Sequence, residues 1–215
     1  MKSIKWISLA ATGALLGVLA VMIVVPRLGL GAGFGPGGGD SGGPIERYWP
    51  APNFTLTNQA GQAVTTDDLR GKVWAADFFF TQCPGICPML FASMVEVRDH
   101  FATHPHADEL SLVSFTLDPE NDTAEVLAET AAAIDATPDQ WQFFTGDRAA
   151  IWRLSEQGFK LGVAETPDDP VNPISHPGKI VLVDRDGIIR GFYDGLTRDG
   201  VAALKRDLAR LLEGA

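Results

Sequence analysis

The sequence predicts an α/β fold in which helices pack against a largely parallel sheet. Residues 73–80 are nearly all apolar and are bounded by turn signals, which is typical of a strand buried on both faces. Helix and strand patterns then alternate along the chain. Alternating βαβ units favour parallel pairing with right-handed crossovers, so the first strands should lie side by side in a parallel arrangement.

The elements around the buried strand follow from local patterns. Residues 54–57 and 63–65 predict two short strands joined by a turn at Gly61, and a capped helical turn follows at 66–69. Residues 88–101 predict a helix because its apolar positions recur at spacings of four, three and four: Leu90, Met94, Val97 and Phe101.

The second half of the chain continues the alternation. Residues 110–117 predict a strand, and Thr123 with its neighbours caps a helix that ends near residue 134. The remaining segments are a short helix at 147–158, an irregular proline-rich stretch at 165–177, a hairpin of strands 179–183 and 188–193, and a final helix at 198–212. This order is that of a thioredoxin-like domain with an N-terminal β-hairpin extension.

An apolar segment near the N-terminus, residues 6–25, predicts one transmembrane helix. Its 20 residues carry no charge, and as a helix they would span about 30 Å, the thickness of the bilayer hydrocarbon. Lysines before the segment place the N-terminus in the cytoplasm and the rest of the chain outside. A cleaved signal peptide is the alternative, but its apolar region is usually only about 7 to 15 residues long.

We therefore predict a membrane anchor at residues 1–27, a glycine-rich linker at 28–47 and a thioredoxin-like domain at 48–215. The location expected is a bacterial-type inner membrane, with the soluble head in the periplasm or an equivalent exoplasmic space. Beyond the anchor the chain has 27 acidic and 14 basic residues, a formal charge of −13. This charge argues against nucleic acid as a partner and would suit a basic protein.

The two cysteines, Cys83 and Cys87, directly follow the buried strand. Their spacing places both sulfurs on one face near the start of a helix, where the helix dipole favours thiolate over thiol. A thiolate pair can bind a soft metal ion or take part in thiol-disulfide exchange. A purely structural disulfide is also conceivable, but so short a loop would contribute only about 2 kcal/mol.

Two further residues belong to this candidate site. His176 precedes the strand expected to lie beside the cysteine-bearing strand, so its ring could complete a Cys2His set for Cu(I), for Cu(II) with an added ligand, or for zinc. Asp77 is a carboxylate in the apolar strand, six residues before Cys83, a spacing similar to that of the buried aspartate of thioredoxins. A buried carboxylate could accept a proton from a thiol, although a strand aspartate can also simply hydrogen-bond a neighbour.

Three motifs, in this order, resemble the Sco (SenC) family: TQCPGICP at 81–88, TLDPENDT at 116–123, and Ser175-His176 before IVLVDRDG at 180–187. The likeness covers roughly residues 54–212 and includes a matching N-terminal anchor. Members of that family are membrane-tethered, thioredoxin-like copper proteins that help to assemble the dinuclear copper A centre in subunit II of cytochrome c oxidase. The resemblance implies that Cys83, Cys87 and His176 are copper ligands.

Two functions are compatible with these residues. A metallochaperone would receive copper, as Cu(I) or Cu(II), from an upstream donor and deliver it to the copper A centre of subunit II or to another cuproprotein. A thiol-disulfide oxidoreductase would instead reduce the copper-ligand cysteines of the acceptor, with Cys83 and Cys87 as the redox pair and Asp77 as the proton acceptor. A metallochaperone is not an enzyme in the ordinary sense, whereas an oxidoreductase is. The oxidoreductase would also need a thiol reductant to restore its reduced cysteine pair.

Overall fold

The computed structural model describes residues 43–169 and 171–214. The predicted anchor at 1–27 and most of the predicted linker lie outside the described residues. Among the helices that are described, none has the length and apolar composition needed to cross a bilayer.

Nine strands occur in the described chain. In chain order they are β1 (Thr55–Asn58), β2 (Ala63–Thr65), β3 (Val73–Phe79), β4 (Leu110–Thr116), β5 (Trp141–Thr145), β6 (Ala164–Glu165), β7 (Ile174–Ser175), β8 (Lys179–Val183) and β9 (Ile189–Asp194). Seven of them form one sheet in the order β2-β1-β5-β4-β3-β8-β9, and β6 pairs with β7 in a separate two-stranded ribbon. The central strands β3, β4 and β5 are parallel, and the outer pairs are antiparallel.

The helices are α1 (Cys87–Phe101), α2 (Ala124–Ala133), α3 (Arg148–Arg153) and α4 (Arg198–Leu212), with a π-helical turn, Leu154–Gly158, directly after α3. Strand β3 is buried on both faces, as its nearly all-apolar sequence predicts. Phe79 packs against Phe91 of α1, with ring centroids 4.9 Å apart, while Phe78 packs against Phe159 beyond the π turn at 5.6 Å. Because successive strand residues point to opposite faces, Asp77 lies on the same face as Phe79 and α1.

The helix α1 approaches the sheet closely where β9 ends. A Cβ atom at Gly195 would lie 2.3 Å from the Leu90 side chain, so only glycine fits at this position. The hydroxyl of Ser93 donates to the carbonyl of Gly195 at 2.6 Å, and the Gly195 amide donates to the carbonyl of Gly178 at 2.9 Å. These bonds join α1, β9 and the start of β8 at the end of the sheet where the cysteines lie.

The predicted parallel strands, C-terminal hairpin and final helix are confirmed, but two parts of the prediction need correction. Strand β5 was not predicted; it lies between β4 and β1 and thereby joins the N-terminal hairpin to the main sheet. The stretch at 165–177, predicted to be irregular, contains the β6–β7 ribbon. Pro167 and Pro173 lie in the connecting loop and Pro177 follows β7, so none of these three removes a ladder hydrogen bond.

Residues just before the predicted domain boundary at 48 pack against the sheet. The buried Arg190 on β9 donates from Nη2 to the carbonyl of Ile45 at 2.8 Å, and Arg210 on α4 donates to the carbonyl of Gly43 at 2.6 Å. Backbone hydrogen bonds with the start of β9 continue this contact. The segment 43–49 therefore occupies the edge of β9 at its first two residues, where it hinders pairing with another chain.

Candidate metal centre

The two thiols lie between the end of β3 and the first turn of α1. The Cys83 amide donates to the carbonyl of Phe80 at 3.2 Å, which turns the chain, and Cys87 is the first residue of α1. Pro88 occupies the first helical turn, where its missing N–H would have no partner within the helix. Both cysteines are free thiols and are buried, with exposed fractions of 7% and 2%. The fold thus presents two reduced sulfurs at one end of the sheet.

His176 is brought to these thiols by the ribbon that precedes β8. Its Nε2 lies 3.5 Å from the Sγ of Cys87, and the donor atoms of Cys83, Cys87 and His176 all lie within 4.8 Å of one another. The ring packs edge-on against Phe80 with centroids 6.0 Å apart. The structure therefore brings together the three residues that the sequence analysis selected, and their role as ligands stays a prediction.

Burial is the largest cause of the pKa shifts of Cys87 and His176. Desolvation raises the pKa of Cys87 well above its ordinary value, and its hydrogen bond with Cys83 raises the pKa further. The same desolvation lowers the pKa of His176, which favours the neutral imidazole that binds metal ions. The predicted helix-dipole preference for thiolate is therefore outweighed at Cys87, whose thiol must lose its proton when a metal ion binds.

Asp77 lies fully buried on β3, on the α1 face. Its Oδ1 accepts a hydrogen bond from the hydroxyl of Ser114 on β4, and that hydroxyl oxygen accepts one from the Trp141 indole at 2.9 Å. Its Oδ2 has no hydrogen-bond partner among the described residues. Burial raises the pKa of Asp77 to about 7, although the Ser114 hydrogen bond opposes the shift. A carboxyl group with this pKa can take up or release a proton near neutral pH.

A second buried carboxylate, Asp122, was not recognised as part of the site from the sequence. It accepts hydrogen bonds from the Thr81 amide at 3.1 Å and from the hydroxyls of Thr81 and Thr116. It thereby ties the loop that leads into Cys83 to the end of β4. Burial raises the pKa of Asp122, and the threonine hydrogen bonds oppose that shift. In the sequence Asp122 belongs to the helix-capping segment and to the motif at 116–123, but neither shows that it accepts hydrogen bonds from Thr81, which lies 41 residues away.

Across residues 43–169 and 171–214, this Cys-Cys-His group is the one cluster of three or more potential metal-ligating side chains. The other histidines, His100, His104 and His106, lie at the far end of α1 and in the loop after it. Thiolate sulfur and imidazole nitrogen together favour soft or borderline ions, which include copper and zinc.

Comparison with known proteins identifies the family. The SCO1/SenC family model matches residues 46–213. The chain belongs to the SCO1/SenC family. A SCO1 protein homolog of Bacillus subtilis is 33% identical over 144 residues, which are 66% of this chain and 72% of that protein.

Solved Sco structures show the same fold. The structure of BsSco, described as a member of the Sco family of cytochrome c oxidase assembly proteins with a disulfide switch, matches with a TM-score of 0.66 at 28% identity over 78% of this chain and 95% of that one. The copper-bound structure of ScoI from Bradyrhizobium japonicum matches with a TM-score of 0.60 at 26% identity, covering 75% of this chain and 99% of that one. The predicted thioredoxin-like α/β Sco fold is confirmed by these likenesses.

Proposed function

We propose that this SCO1/SenC protein binds copper through Cys83, Cys87 and His176 and delivers it to the copper A centre of cytochrome c oxidase subunit II. The observation that carries the proposal is the approach of the three donor atoms to within 4.8 Å of one another. Soft thiolate ligands select Cu(I), and imidazole also suits Cu(II). The copper bound to ScoI and the oxidase-assembly role described for BsSco support both halves of the proposal.

Release of the ion would begin at Cys83. This residue lies in the loop before α1 and is followed by the exposed Pro84 and Gly85, whereas Cys87 is enclosed at the start of the helix. An incoming thiolate of the acceptor can therefore reach the Cys83 side of the group first. Exchange of one ligand at a time would keep the ion coordinated throughout the transfer.

The proposal includes a single-pass anchor at residues 1–27 in a bacterial-type inner membrane, with the head in the periplasm. Its support is the uncharged apolar segment at 6–25. The glycine-rich linker would let the head move in the space above the membrane, where a membrane-embedded oxidase subunit would be found.

Replacing His176 by alanine tests the copper site directly. In an anaerobic Cu(I) titration of the reduced, full-length protein in detergent against a chromophoric chelator, we expect one ion per wild-type chain. His176→Ala should weaken Cu(I) binding by at least about tenfold. Loss of a residue that only hydrogen-bonds a metal ligand already costs that much affinity, so loss of a ligand should cost at least as much. His100→Ala is the matched control, since that residue is exposed and 13 positions along α1 from Cys87. The absence of stoichiometric binding, or equal affinities for all three proteins, would reject the site.

The buried Asp77 favours a second function, reduction of a disulfide between the copper-ligand cysteines of the acceptor. The Cys83 thiolate would attack that disulfide and form a mixed disulfide, which the Cys87 thiolate would then resolve. The acceptor would leave as a dithiol, while Cys83 and Cys87 would be oxidised to a disulfide. Asp77, with a pKa of about 7, would take the Cys87 proton, and an upstream thiol reductant would restore the pair.

Asp77→Asn should slow this reduction, because an amide cannot accept the proton. We expect a decrease of about 10²-fold in the rate of reduction of an oxidised acceptor domain, the lower end of the usual effect of a general base. Stopped-flow measurements between pH 6 and 8 should also show that the rate of Asp77→Asn lacks the pH dependence of the wild-type rate. Ser111→Ala, a change at another buried polar residue of the sheet, serves as the control. A wild-type rate and pH profile in Asp77→Asn would rule out the proton-transfer role.

A further inference from the structure

Two of the exposed large hydrophobic residues lie close in sequence to the proposed copper ligands. Three large hydrophobic residues of the described chain are exposed: Tyr48 (37%), Met89 (52%) and Val171 (67%). Met89 lies two residues after Cys87, in the first turn of α1. Val171 lies five residues before His176, in the loop that joins β6 to β7. Exposed apolar residues next to a binding site mark interaction surfaces more often than scattered ones do.

Hydrogen bonds stabilise the described residues of the loop that carries Val171. Oδ1 of Asp169 accepts hydrogen bonds from the amides of Val171 at 3.1 Å and Asn172 at 3.0 Å, and the Thr166 amide donates to the carbonyl of Pro173 at 2.9 Å. These hydrogen bonds would reduce the ordering entropy lost when a partner contacts Val171.

The same loop is negatively charged. Asp168 and Asp169 are exposed and form no ion pair within the part of the chain that the structure describes, whereas the neighbouring Glu165 is paired with Arg148 at 3.1 Å. No lysine or arginine occurs between residues 161 and 178. A partner that contacts this loop would gain by placing basic side chains opposite it.

We propose that Met89, Val171, Asp168 and Asp169 form the docking surface for the copper acceptor. The acceptor would surround its own copper ligands with an apolar rim and place basic residues outside that rim. This inference rests on the proposed function, because ligand exchange requires the surfaces next to both metal sites to touch. A second copy of this chain fits the surface poorly, since its own aspartates would meet these, and an anionic lipid surface would repel them.

Copper transfer from the loaded, full-length protein in detergent tests the surface. The probe is the reduced, metal-free soluble copper A domain of subunit II, mixed with the loaded protein in a stopped-flow instrument. The double variant Met89→Ser/Val171→Ser should lower the second-order rate constant for transfer by about tenfold, with Cu(I) affinity unchanged. Asp168→Asn/Asp169→Asn should lower the rate at low salt and flatten its dependence on ionic strength. Tyr48→Ser, at the third exposed apolar residue, should transfer copper like the wild type.

Three results would overturn the proposal. One is wild-type transfer by the Met89→Ser/Val171→Ser variant, and another is an equal loss in Tyr48→Ser. The third is a change in self-association, or in binding to phosphatidylglycerol vesicles, in place of a change in transfer. A wild-type protein that binds no copper would instead refute the proposed function, and a lower Cu(I) affinity in the double variant would identify Met89 as a ligand and not a docking residue.

Discussion

Replacing Arg190 by methionine is expected to lower the free energy of unfolding by about 3 kcal/mol, because it removes one partner of a buried ion pair. The guanidinium is 8% exposed, and its Nη1 lies 3.0 Å from Oδ2 of Asp184. It also donates to the carbonyls of Ile45 and Glu46 at 2.8 and 2.7 Å. Methionine would leave these acceptors without their donors while preserving most of the apolar contact of the side chain.

The effect should lie at the lower end of the range for such pairs, since Asp184 keeps a weaker contact with Arg47 at 3.4 Å. Urea denaturation of a chain that lacks residues 1–42 measures the difference. Arg47→Met is the control and should cost less than about 1 kcal/mol, because that arginine is exposed. Adding Asp184→Asn to Arg190→Met should recover part of the loss, since the uncompensated charge is then gone. A loss below about 1 kcal/mol in Arg190→Met would show that the pair is not needed for stability.

Asp77→Asn is expected to make stability much less dependent on pH. The carboxyl pKa is raised from 3.8 to about 7 in the folded state, so the folded protein holds this proton more tightly than the unfolded chain does. Stability is therefore greatest below the unfolded pKa and falls as pH rises through the interval from 3.8 to about 7. At 1.36 kcal/mol per pKa unit, ionisation of this buried group costs the wild type about 4 kcal/mol above pH 8.

Urea denaturation of the reduced, metal-free protein at pH 5 and pH 8 provides the measurement. The wild type should lose about 2 to 3 kcal/mol more than Asp77→Asn between these two values. The asparagine amide will itself change the free energy of unfolding by the same amount at both pH values. The informative quantity is therefore the difference between pH 5 and pH 8 for each protein. Asp139→Asn, at an exposed carboxylate, should stay within about 0.5 kcal/mol of the wild type at each pH. Parallel pH curves for Asp77→Asn and the wild type would mean that Asp77 is already ionised in the folded protein.

The sequence predicted those elements whose pattern is long or strongly bounded. The nearly all-apolar run at 73–80 predicted β3, and the amphipathic pattern at 198–212 predicted α4 with its bounds. Strand β5 is only five residues long, too short for periodicity to separate a strand from a buried loop. Strands β6 and β7 have two residues each, and no local signal marks so short a pairing. They form because the rest of the fold places the two segments side by side.

The candidate metal-ligating residues could be predicted from the sequence, whereas the residues that hydrogen-bond around the site could not. Cys83, Cys87 and His176 have distinctive chemistry, and the strand order indicated that the histidine could approach the thiols. The hydrogen bonds from Ser114 to Asp77 and from Thr81 and Thr116 to Asp122 depend on register between β3 and β4 and on loop geometry. Serine and threonine are common in strands, so their sequence positions alone do not single them out.

The attachment of the segment 43–49 has a mechanical consequence. A pull on the chain from the direction of residue 42 would be resisted first by the hydrogen bond from Arg210 to Gly43 and then by that from Arg190 to Ile45. These hydrogen bonds would break one after another before any strand of the sheet carries the force. Because β9 stays paired with β8 through five residue pairs, β8 and the cysteine-bearing β3 would be shielded from that force.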